Sequence, residues 1–378
     1  MMEIVNGGYT YIMNKIALCV NSFFPLVGGC ELVTKNIADY FSKNNEVVVF
    51  TRYSSKRKTN RIDNISIEHY DNTNPSSFIT KYKKFNPDYT MIYSDVFDFF
   101  HQVLDCGKNI CLVPCGGNRL CTKPYSLKMF LNKISSVKSL VCHTERERDY
   151  KLLKELNLLN KTFIIPIGID IEEFDIESER KDIISEKTND FWILNVANFF
   201  PGKGQLYMFN ILTDLVNNYD LKDKITYIQI CTSLDFSIGK QLEEQWKIKM
   251  RGLKGVQTIL LKDKPRSTVV SVFKNSNVFV STSERESAGV VFLESMAAKC
   301  PWVSSNVGIV PELNGGYGVT SIKDKNHNII FNSKVFEIYA KKISICLKDN
   351  KIGEEGRKQV EQTYQLKNIM PLYEKVFW

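Results

Sequence analysis

Short apolar runs alternate along this chain with longer segments in which apolar residues recur every three or four positions. Residues 15–21 (KIALCVN) form the first such run, and a helix-like pattern from Leu32 to Phe41 follows it. Runs rich in β-branched residues are typical of buried strands, and the longer spacing is typical of amphipathic helices. Similar runs begin at residues 46, 65, 139, 191, 225, 256 and 278. The alternation predicts an α/β fold.

The length and one polar stretch predict two domains. A chain of 378 residues fits two α/β domains better than one. Residues 179–190 are charged and weakly patterned, as a linker should be. We therefore predict an N-terminal α/β domain over 13–178 and a C-terminal one over 191–362. Residues 1–12 are interpreted as an N-terminal extension in which disorder is the expectation.

Composition and charge leave several partners open. Apolar residues make up 43% of the chain and the net charge is +8. This charge suits an anionic substrate, an anionic membrane surface or nucleic acid, and does not choose among them. No apolar run reaches the roughly 20 residues that a membrane span needs.

The ten cysteines form no dense framework, and no secretory leader precedes them, which predicts reduced thiols in a cytosolic protein. Four of them cluster: Cys106, Cys111, Cys115 and Cys121. They contain no Cys-x-x-Cys pair, so buried or scattered thiols are favoured over a metal site.

The densest basic run follows the second predicted strand. It contains Arg52, Lys56, Arg57, Lys58 and Arg61. A solvated loop is the ordinary interpretation. The alternative is a peripheral contact with anionic lipid head groups or a lipid-diphosphate acceptor.

Residues 277–294 (NVFVSTSERESAGVVFLE) read as strand, loop and helix. The first N–H groups of such a helix, near Gly289, Val290 and Val291, have no intrahelical partners and can bind a phosphate. Glu294, further along the helix, can accept two hydrogen bonds from a vicinal diol such as ribose, and Glu286 can hold a second hydroxylated group. An ordinary strand–turn–helix with two surface glutamates is the alternative.

The same block resembles the donor site of family 4 retaining glycosyltransferases. The matching residues, in order, are Glu286, Gly289, Glu294, Met296-Ala297, Pro301-Trp302-Val303, Gly308 and Pro311-Glu312. The resemblance implies the GT-B fold: two Rossmann-like α/β/α domains facing a central cleft. It also implies a C-terminal helix, here residues 363–378, that packs back on the N-terminal domain.

Further positions match the family more locally. Lys203 resembles its donor-phosphate lysine, and Gly28-Gly29 with Glu31 resembles its Gly-Gly-x-Glu motif. The resemblance adds Ser287 and Ala288 to the donor-binding loop. It also points to backbone groups of Leu261 and Lys262 as contacts to the base.

Two departures from the family pattern stand out. Asn198 occupies the position of the family's phosphate-binding arginine, and an amide carries no charge. Asn198 is kept as a donor-binding candidate, with Arg266 as a second cation that could assist Lys203. The family's cleft histidine also has no clear counterpart, because its places hold Ser94 or Asp95 and Pro114 or Cys115.

The resemblance implies a retaining, metal-independent hexosyltransferase that moves a sugar from a nucleoside-diphosphate sugar to a hydroxyl of a saccharide or lipid-linked saccharide. Glu286 and Lys203 are its predicted catalytic residues. No cofactor, metal or nucleic acid is expected. The implied setting is bacterial surface polysaccharide or glycoconjugate synthesis, in the cytoplasm or at the inner face of the cell membrane.

Two other classes stay open. One is a different GT-B enzyme, such as a nucleotide-sugar epimerase or a sugar phosphorylase. The other is a catalytically inactive scaffold that binds nucleotide sugars, which the missing arginine and histidine would suit.

Overall fold

The computed structural model describes residues 2–5, 8–11, 13–25, 28–53, 59–94, 97–115, 120, 123–184, 188–233, 237–320, 330–349 and 351–378. The chain divides into two compact units, one formed by Met1–Gly168 with Leu366–Trp378 and the other by Ile169–Gln365. The boundary thus lies between Gly168 and Ile169, whereas the sequence predicts it after residue 178. Within the described residues, no helix is both long and apolar enough to cross a membrane.

The first unit is built around an eight-stranded sheet with the strand order β10-β9-β8-β7-β3-β4-β6-β5. Its neighbouring strands are parallel except for the antiparallel pair of β5 and β6. The strands are β3 Lys15–Cys19, β4 Glu46–Arg52, β5 Arg61–Ile62, β6 Ile65–Tyr70, β7 Tyr89–Tyr93, β8 Ile110–Val113, β9 Val137–Cys142 and β10 Thr162–Ile164. The helices are α1 Gly29–Phe41, α2 Pro75–Phe85, α3 Phe100–Cys106, α4 Pro124–Asn132 and α5 Arg148–Glu155, with 3-10 turns at Ile134–Ser136 and Leu159–Lys161.

The N-terminal extension contains paired strands rather than the expected disorder. β1 Met2–Val5 and β2 Gly8–Tyr11 pair antiparallel, with Met2 opposite Tyr11. The Asn6-Gly7 dipeptide between them lies outside the described residues. Asn-Gly flanked by β-branched and aromatic residues is a strong hairpin signal that the sequence interpretation overlooked.

Aromatic side chains fill one face of the first sheet. Phe78 stacks on Phe99 with ring centroids 4.6 Å apart, and Phe50 and Tyr70 meet the Phe78 ring edge-on at 5.8 and 5.5 Å. All four rings are buried. Such offset and edge-on contacts add to the burial of apolar surface, which fixes helix α2 and the segment before α3 against the sheet.

The second unit contains a six-stranded, wholly parallel sheet with the order β13-β12-β11-β14-β15-β16. Its strands are β11 Phe191–Val196, β12 Ile225–Cys231, β13 Val256–Lys262, β14 Val278–Ser281, β15 Trp302–Ser305 and β16 Gly316–Val319. Its helices are α6 Arg180–Ile183, α7 Met208–Asn218, α8 Ser237–Arg251, α9 Arg266–Asn275, α10 Val290–Ala297, α11 Ser333–Cys346 and α12 Lys351–Gln359. A π-helical turn follows at Val360–Tyr364, and 3-10 turns lie at Glu172–Phe174, Gln205–Tyr207 and Val310–Glu312.

The last residues return to the first unit. They form α13 Leu366–Ile369, a 3-10 turn at Met370–Tyr373 and α14 Glu374–Phe377. Phe377 meets Phe41 of α1 edge-on at 5.0 Å, and the Ser139 hydroxyl on β9 donates to the carbonyl oxygen of Val376 at 2.8 Å. The terminal segment therefore closes the core of the unit that the chain builds first.

Candidate active site

The strand order of the second unit reverses beside β11, the kind of position where parallel sheets form a crevice. The chain runs outward from β11 through β12 to β13 and then returns to place β14 on the other side of β11. In parallel sheets, ligands bind at such a reversal, outside the carboxyl ends of the strands. Strands β11 and β14 pair only at Ile193–Val278 and Leu194–Phe279, and the Asn195 amide then donates to the Val280 carbonyl at 2.7 Å.

The loops that follow β11 and β14 are fastened to each other at this crevice. The Thr282 hydroxyl donates to the Gly204 carbonyl at 2.8 Å, and the Glu284 N–H donates to the Gly202 carbonyl at 2.8 Å. Gly204 has a φ of +71°, and a Cβ there would lie 2.2 Å from the Thr282 carbonyl oxygen. Only glycine accommodates both the left-handed backbone and this close approach.

This fastening brings two predicted site residues together. Lys203, on the first loop, places its Nζ 2.5 Å from Oε1 of Glu286 on the second loop. The Lys203 side chain is 31% exposed and that of Glu286 is 11% exposed. An ammonium and a carboxylate are therefore paired, with partial access to solvent, at the reversal of the sheet.

Helix α10 begins beside this pair. Gly289 precedes it with a φ of +48°, and the first intrahelical bond runs from the Phe292 N–H to the Gly289 carbonyl at 2.9 Å. The N–H groups of Val290 and Val291 come earlier and add their dipoles to the helix N-terminus. Val290 is buried and Val291 is half-buried.

The segment after β15 packs against the loop before α10 and is hydrogen-bonded to it. The Ile309 N–H donates to the Ser287 carbonyl at 3.0 Å. Gly308 has a φ of +51°, and a Cβ there would lie 2.3 Å from the Glu286 carbonyl oxygen. Ala288 is buried in the same loop. The position of the Glu286 backbone thus depends on a glycine 22 residues later, one of those that matched the family pattern.

Glu294 lies further along α10 and is only 5% exposed. Its Oε1 accepts a hydrogen bond from Nη1 of Arg266, the first residue of α9. The same guanidinium donates to Glu173 at 2.8 Å through Nη2 and packs over the Phe174 ring, 5.6 Å from its centroid. Burial opposes the charge of Arg266, but Glu294 and Glu173 outweigh it and raise its pKa.

Asn198 has a structural role in the loop after β11. Its side-chain oxygen accepts a hydrogen bond from the Thr232 N–H at 2.7 Å, and its backbone carbonyl accepts one from the Gln205 amide at 2.7 Å. It therefore links the carboxyl ends of β11 and β12. Its side chain cannot supply the charge of a guanidinium.

The other predicted contacts lie further from the Lys203–Glu286 pair along the sheet or in the first unit. Leu261 and Lys262 end β13, at the edge of the second sheet, and the Lys262 ammonium pairs with Glu243 at 2.9 Å. Gly28 and Gly29 open α1 in the first unit. A Cβ on Gly28 would lie 2.4 Å from a carboxylate oxygen of Glu31, which folds back over it.

The first unit also holds a buried polar cluster at the carboxyl ends of β7, β8 and β9. His143 bonds to the Tyr93 hydroxyl and to the Ile165 carbonyl oxygen, both at 2.9 Å, and burial lowers its pKa to about 4. Burial, reinforced by Asp149, raises the pKa of Glu147 to about 8. These buried contacts are those of a structural histidine.

The cysteines that the structure describes are dispersed, and most of them are buried. Cys111 is buried, Cys106 is half-buried, and Cys121 lies outside the described residues. Cys115 places its sulfur 3.6 Å from that of Cys30. Throughout the part of the chain that the structure describes, no group of three or more His, Cys, Asp or Glu side chains could hold a metal ion.

Two features of the site were not found from the sequence. The pairing of Arg266 with Glu173 joins residues 93 positions apart, and no local pattern signals it. The bond between Thr282 and Gly204 likewise spans 78 positions. The Gly202-Lys203-Gly204 sequence was the available signal, because glycines on both sides of a charged residue favour a strained loop.

A comparison with protein families matches residues 176–365, half of the chain, to the glycosyl transferases group 1 model. The chain belongs to the glycosyl transferases group 1 family. The matched residues include Lys203, Glu286, Gly289, Arg266 and Glu294. No curated protein matches the chain.

Solved glycosyltransferase structures share the fold over almost the whole chain. Sucrose-phosphate synthase from Thermosynechococcus elongatus has a TM-score of 0.75 at 14% identity, with 96% of this chain and 99% of that one covered. The Anabaena protein HepE, in complex with UDP and glucose, has a TM-score of 0.72 at 17% identity, with 96% and 98% covered. A trehalose-phosphate synthase from Burkholderia xenovorans has a TM-score of 0.73 at 13% identity, with 96% and 98% covered. The predicted GT-B fold class and glycosyltransferase resemblance are confirmed.

Proposed function

We propose that this group 1 glycosyltransferase uses a nucleoside-diphosphate sugar as donor and retains the configuration at the transferred carbon. The observation that carries the proposal is the Lys203–Glu286 pair, 2.5 Å apart, beside the start of α10 at the reversal of the second sheet. A cation, a helix N-terminus and a carboxylate in one place suit a diphosphate that carries a sugar.

Each residue has a distinct proposed role in holding the donor. Lys203 and the N–H groups that begin α10 bind the diphosphate, and the loop of Ser287, Ala288 and Gly289 lets it approach the backbone. Glu294 accepts hydrogen bonds from the ribose diol. Backbone groups near Leu261 and Lys262 contact the base.

The proposed reaction replaces one bond to the anomeric carbon with another on the same face. The bond to the phosphate oxygen breaks, and a bond to the acceptor hydroxyl oxygen forms. The acceptor proton passes to the departing phosphate. Lys203 stabilises the negative charge that develops on the diphosphate, and Glu286 orients the sugar and steadies the positive charge near its ring.

The rest of the proposal concerns partners and setting. We assign no cofactor and no metal, since Lys203 and the helix N-terminus provide positive charge for the diphosphate. The acceptor is a hydroxyl of a saccharide or a lipid-linked saccharide, as in the synthesis of a bacterial surface polysaccharide or glycoconjugate. The proposed location is the cytoplasm, at the inner face of the membrane. Three of the basic residues that motivated a membrane contact, Lys56, Arg57 and Lys58, lie outside the described residues.

A donor panel tests the proposal directly. The protein is incubated with UDP-, GDP- and ADP-sugars and with saccharide and lipid-linked acceptors, and release of the nucleoside diphosphate is measured with and without acceptor. UDP-glucose is the first donor to try, because a structural neighbour was solved with UDP and glucose. We expect acceptor-dependent release in the presence of EDTA, and a product whose anomeric proton coupling matches that of the donor.

Other outcomes would favour the alternatives. An inverted product or release abolished by EDTA would contradict the retaining or metal-independent assignment. Product formed without acceptor would indicate an epimerase, and dependence on inorganic phosphate would indicate a phosphorylase. Binding of a donor without turnover across all acceptors would favour the inactive scaffold, for which the amide at Asn198 is the structural argument.

A further inference from the structure

Arg266, the first residue of α9, is a largely buried cation. It does not face open solvent; its side chain is 17% exposed and lies between the carboxylates of Glu294 and Glu173. Its Nε and Nη2 both donate to Oε2 of Glu173, at 3.0 and 2.8 Å, and Nη1 donates to Oε1 of Glu294. The guanidinium plane is therefore set by Glu173 and Phe174, and one corner is turned toward Glu294.

This geometry leaves part of Glu294 uncommitted. Among the described residues, this carboxylate accepts one hydrogen bond, from Arg266 to Oε1. A diol donates two hydrogen bonds and needs a carboxylate that is charged, fixed in orientation and not fully used by protein groups. Burying a carboxylate as deeply as Glu294 is costly unless a counter-charge lies beside it. Arg266 supplies that charge from one side.

We propose that Arg266 is a positioning residue that holds Glu294 ready to bind the ribose diol of the donor nucleotide. The inference rests on the proposed function, because it assumes that Glu294 faces the ribose. The diol preference of the site then depends on a residue outside the motif, 28 positions before Glu294. Glu173, from the first turn of the second unit, supports Arg266.

The test compares each nucleotide with its analogue that lacks the diol. UDP, GDP and ADP and their 2′,3′-dideoxy forms are titrated calorimetrically into the parent protein, and the base that binds best is kept. The same pair of ligands is then measured with Arg266→Met, which keeps the apolar stem but removes the charge. Arg251→Met, an exposed arginine at the end of α8, is the matched control.

We expect the parent and Arg251→Met to prefer the ribonucleotide by about 10-fold or more, as two hydrogen bonds to a charged group would give. Arg266→Met should reduce this preference to about 3-fold or less while its affinity for the dideoxy form changes little. Glu173→Ala removes only the support and should reduce the preference by a smaller factor. It also guards against misfolding of Arg266→Met, since Glu173 is more exposed.

The possible results separate the two proposals. If the parent binds none of the nucleotides, the proposed function fails and this inference fails with it. If the parent shows the diol preference and both Arg266→Met and Glu173→Ala keep it in full, the positioning role is wrong and the donor site stands. If Arg266→Met loses affinity equally for both forms, Arg266 contacts the phosphates instead. If it binds both more tightly, Arg266 blocks the site; either result overturns the inference.

Discussion

At the scale of single residues, Lys203 and Glu286 neutralise each other across two loops. Each is the other's charged partner, so in the proposed donor complex the ammonium shifts toward the diphosphate and the carboxylate toward the sugar. Until a donor binds, the pair holds both side chains in place. Lysine suits this task because its ammonium is a compact charge on a flexible stem.

Replacing Lys203 should weaken donor binding without unfolding the protein. For Lys203→Gln we expect the affinity for a nucleoside diphosphate to fall about 10- to 100-fold, since hydrogen bonds to charged groups contribute about 1.5–3 kcal/mol. Lys224→Gln, which removes a surface ion pair with Asp220, should change it little. Calorimetric titration of both variants checks this, and equal losses in the two would refute a specific role for Lys203.

Glu147 makes the stability of the first unit depend on pH. Its pKa is raised to about 8 in the folded protein, mainly by burial, against an ordinary value of 4.5. The folded state therefore holds more protons than the unfolded state between these values, and stability falls as pH rises toward 8. His143 acts in a lower window: its pKa is lowered to about 4, so it weakens the fold only as pH falls below about 6.5.

The window from pH 7 to pH 8.5 isolates Glu147. The free energy of unfolding of the parent should fall by about 1–2 kcal/mol between these pH values, because one pKa unit corresponds to about 1.4 kcal/mol. Glu147→Gln should not lose this amount, whereas Glu145→Gln, at an exposed neighbouring position, should behave like the parent. Calorimetric unfolding midpoints at both pH values provide the measurement. A parent as stable at pH 8.5 as at pH 7 would contradict the protonated state of Glu147.

The sequence predicted the residues that carry the motif but not the partners that hold them. Lys203, Glu286, Gly289 and Glu294 were identified because their types and spacing match a family pattern. Glu173, the ion-pair partner of Arg266, was not identified, because ion pairs between distant positions leave no periodic pattern in one sequence. Asn198 was expected at the phosphate, and the structure shows its oxygen bonded to a backbone N–H.

At the scale of elements, the site depends on two loops that follow β11 and β14. Strands β11 and β14 were predicted from apolar runs, since a buried parallel strand is apolar on both faces. The contact between the two loops was not predicted, because it depends on the order of strands in the sheet. The bonds from Thr282 to Gly204 and from Glu284 to Gly202 give the loops a common backbone frame.

Two glycines on either side of Lys203 provide a matched test of this contact. Both have positive φ, +71° at Gly204 and +87° at Gly202. A Cβ at Gly204 would lie 2.2 Å from the Thr282 carbonyl oxygen, whereas at Gly202 the nearest atom is 3.9 Å away. Gly202→Ala should cost only the backbone penalty of about 1–2 kcal/mol.

Gly204→Ala should cost more than that, because it also separates the loops, and should weaken nucleotide binding at least 10-fold more than Gly202→Ala does. Unfolding midpoints and calorimetric titration of the two variants, made side by side, check the prediction. If the two alanine variants behave alike, the loop contact does not position Lys203.

At the scale of the whole molecule, the chain completes its first unit only with its last residues. Phe377 is fully buried, and it meets Phe41 at 5.0 Å and Tyr89 at 5.7 Å. The Tyr40 hydroxyl donates to Glu374 at 2.7 Å. The family resemblance predicts a C-terminal segment that docks on the N-terminal domain, and Leu366–Trp378 belong to the first unit.

Removing the terminal aromatic anchor should destabilise the first unit. Phe377→Ala should cost about 3–5 kcal/mol, as for other buried phenylalanines. Trp378→Ala is the control, because Trp378 is 50% exposed and should cost clearly less. Calorimetry should show a lower unfolding temperature for the first unit in Phe377→Ala. An unfolding temperature unchanged from the parent would mean that the terminal segment is not part of that core.

The proposed donor site requires the second unit to bind a nucleoside diphosphate through Lys203, the start of α10 and Glu294. The most direct test is calorimetric titration of UDP, GDP, ADP and CMP into the parent protein, Lys203→Ala and Glu294→Ala. We expect one diphosphate to bind, CMP to bind more weakly because it lacks the second phosphate, and both variants to lose at least 10-fold in affinity. If none of the four binds, or if both variants bind as tightly as the parent, the assignment of the donor site is wrong.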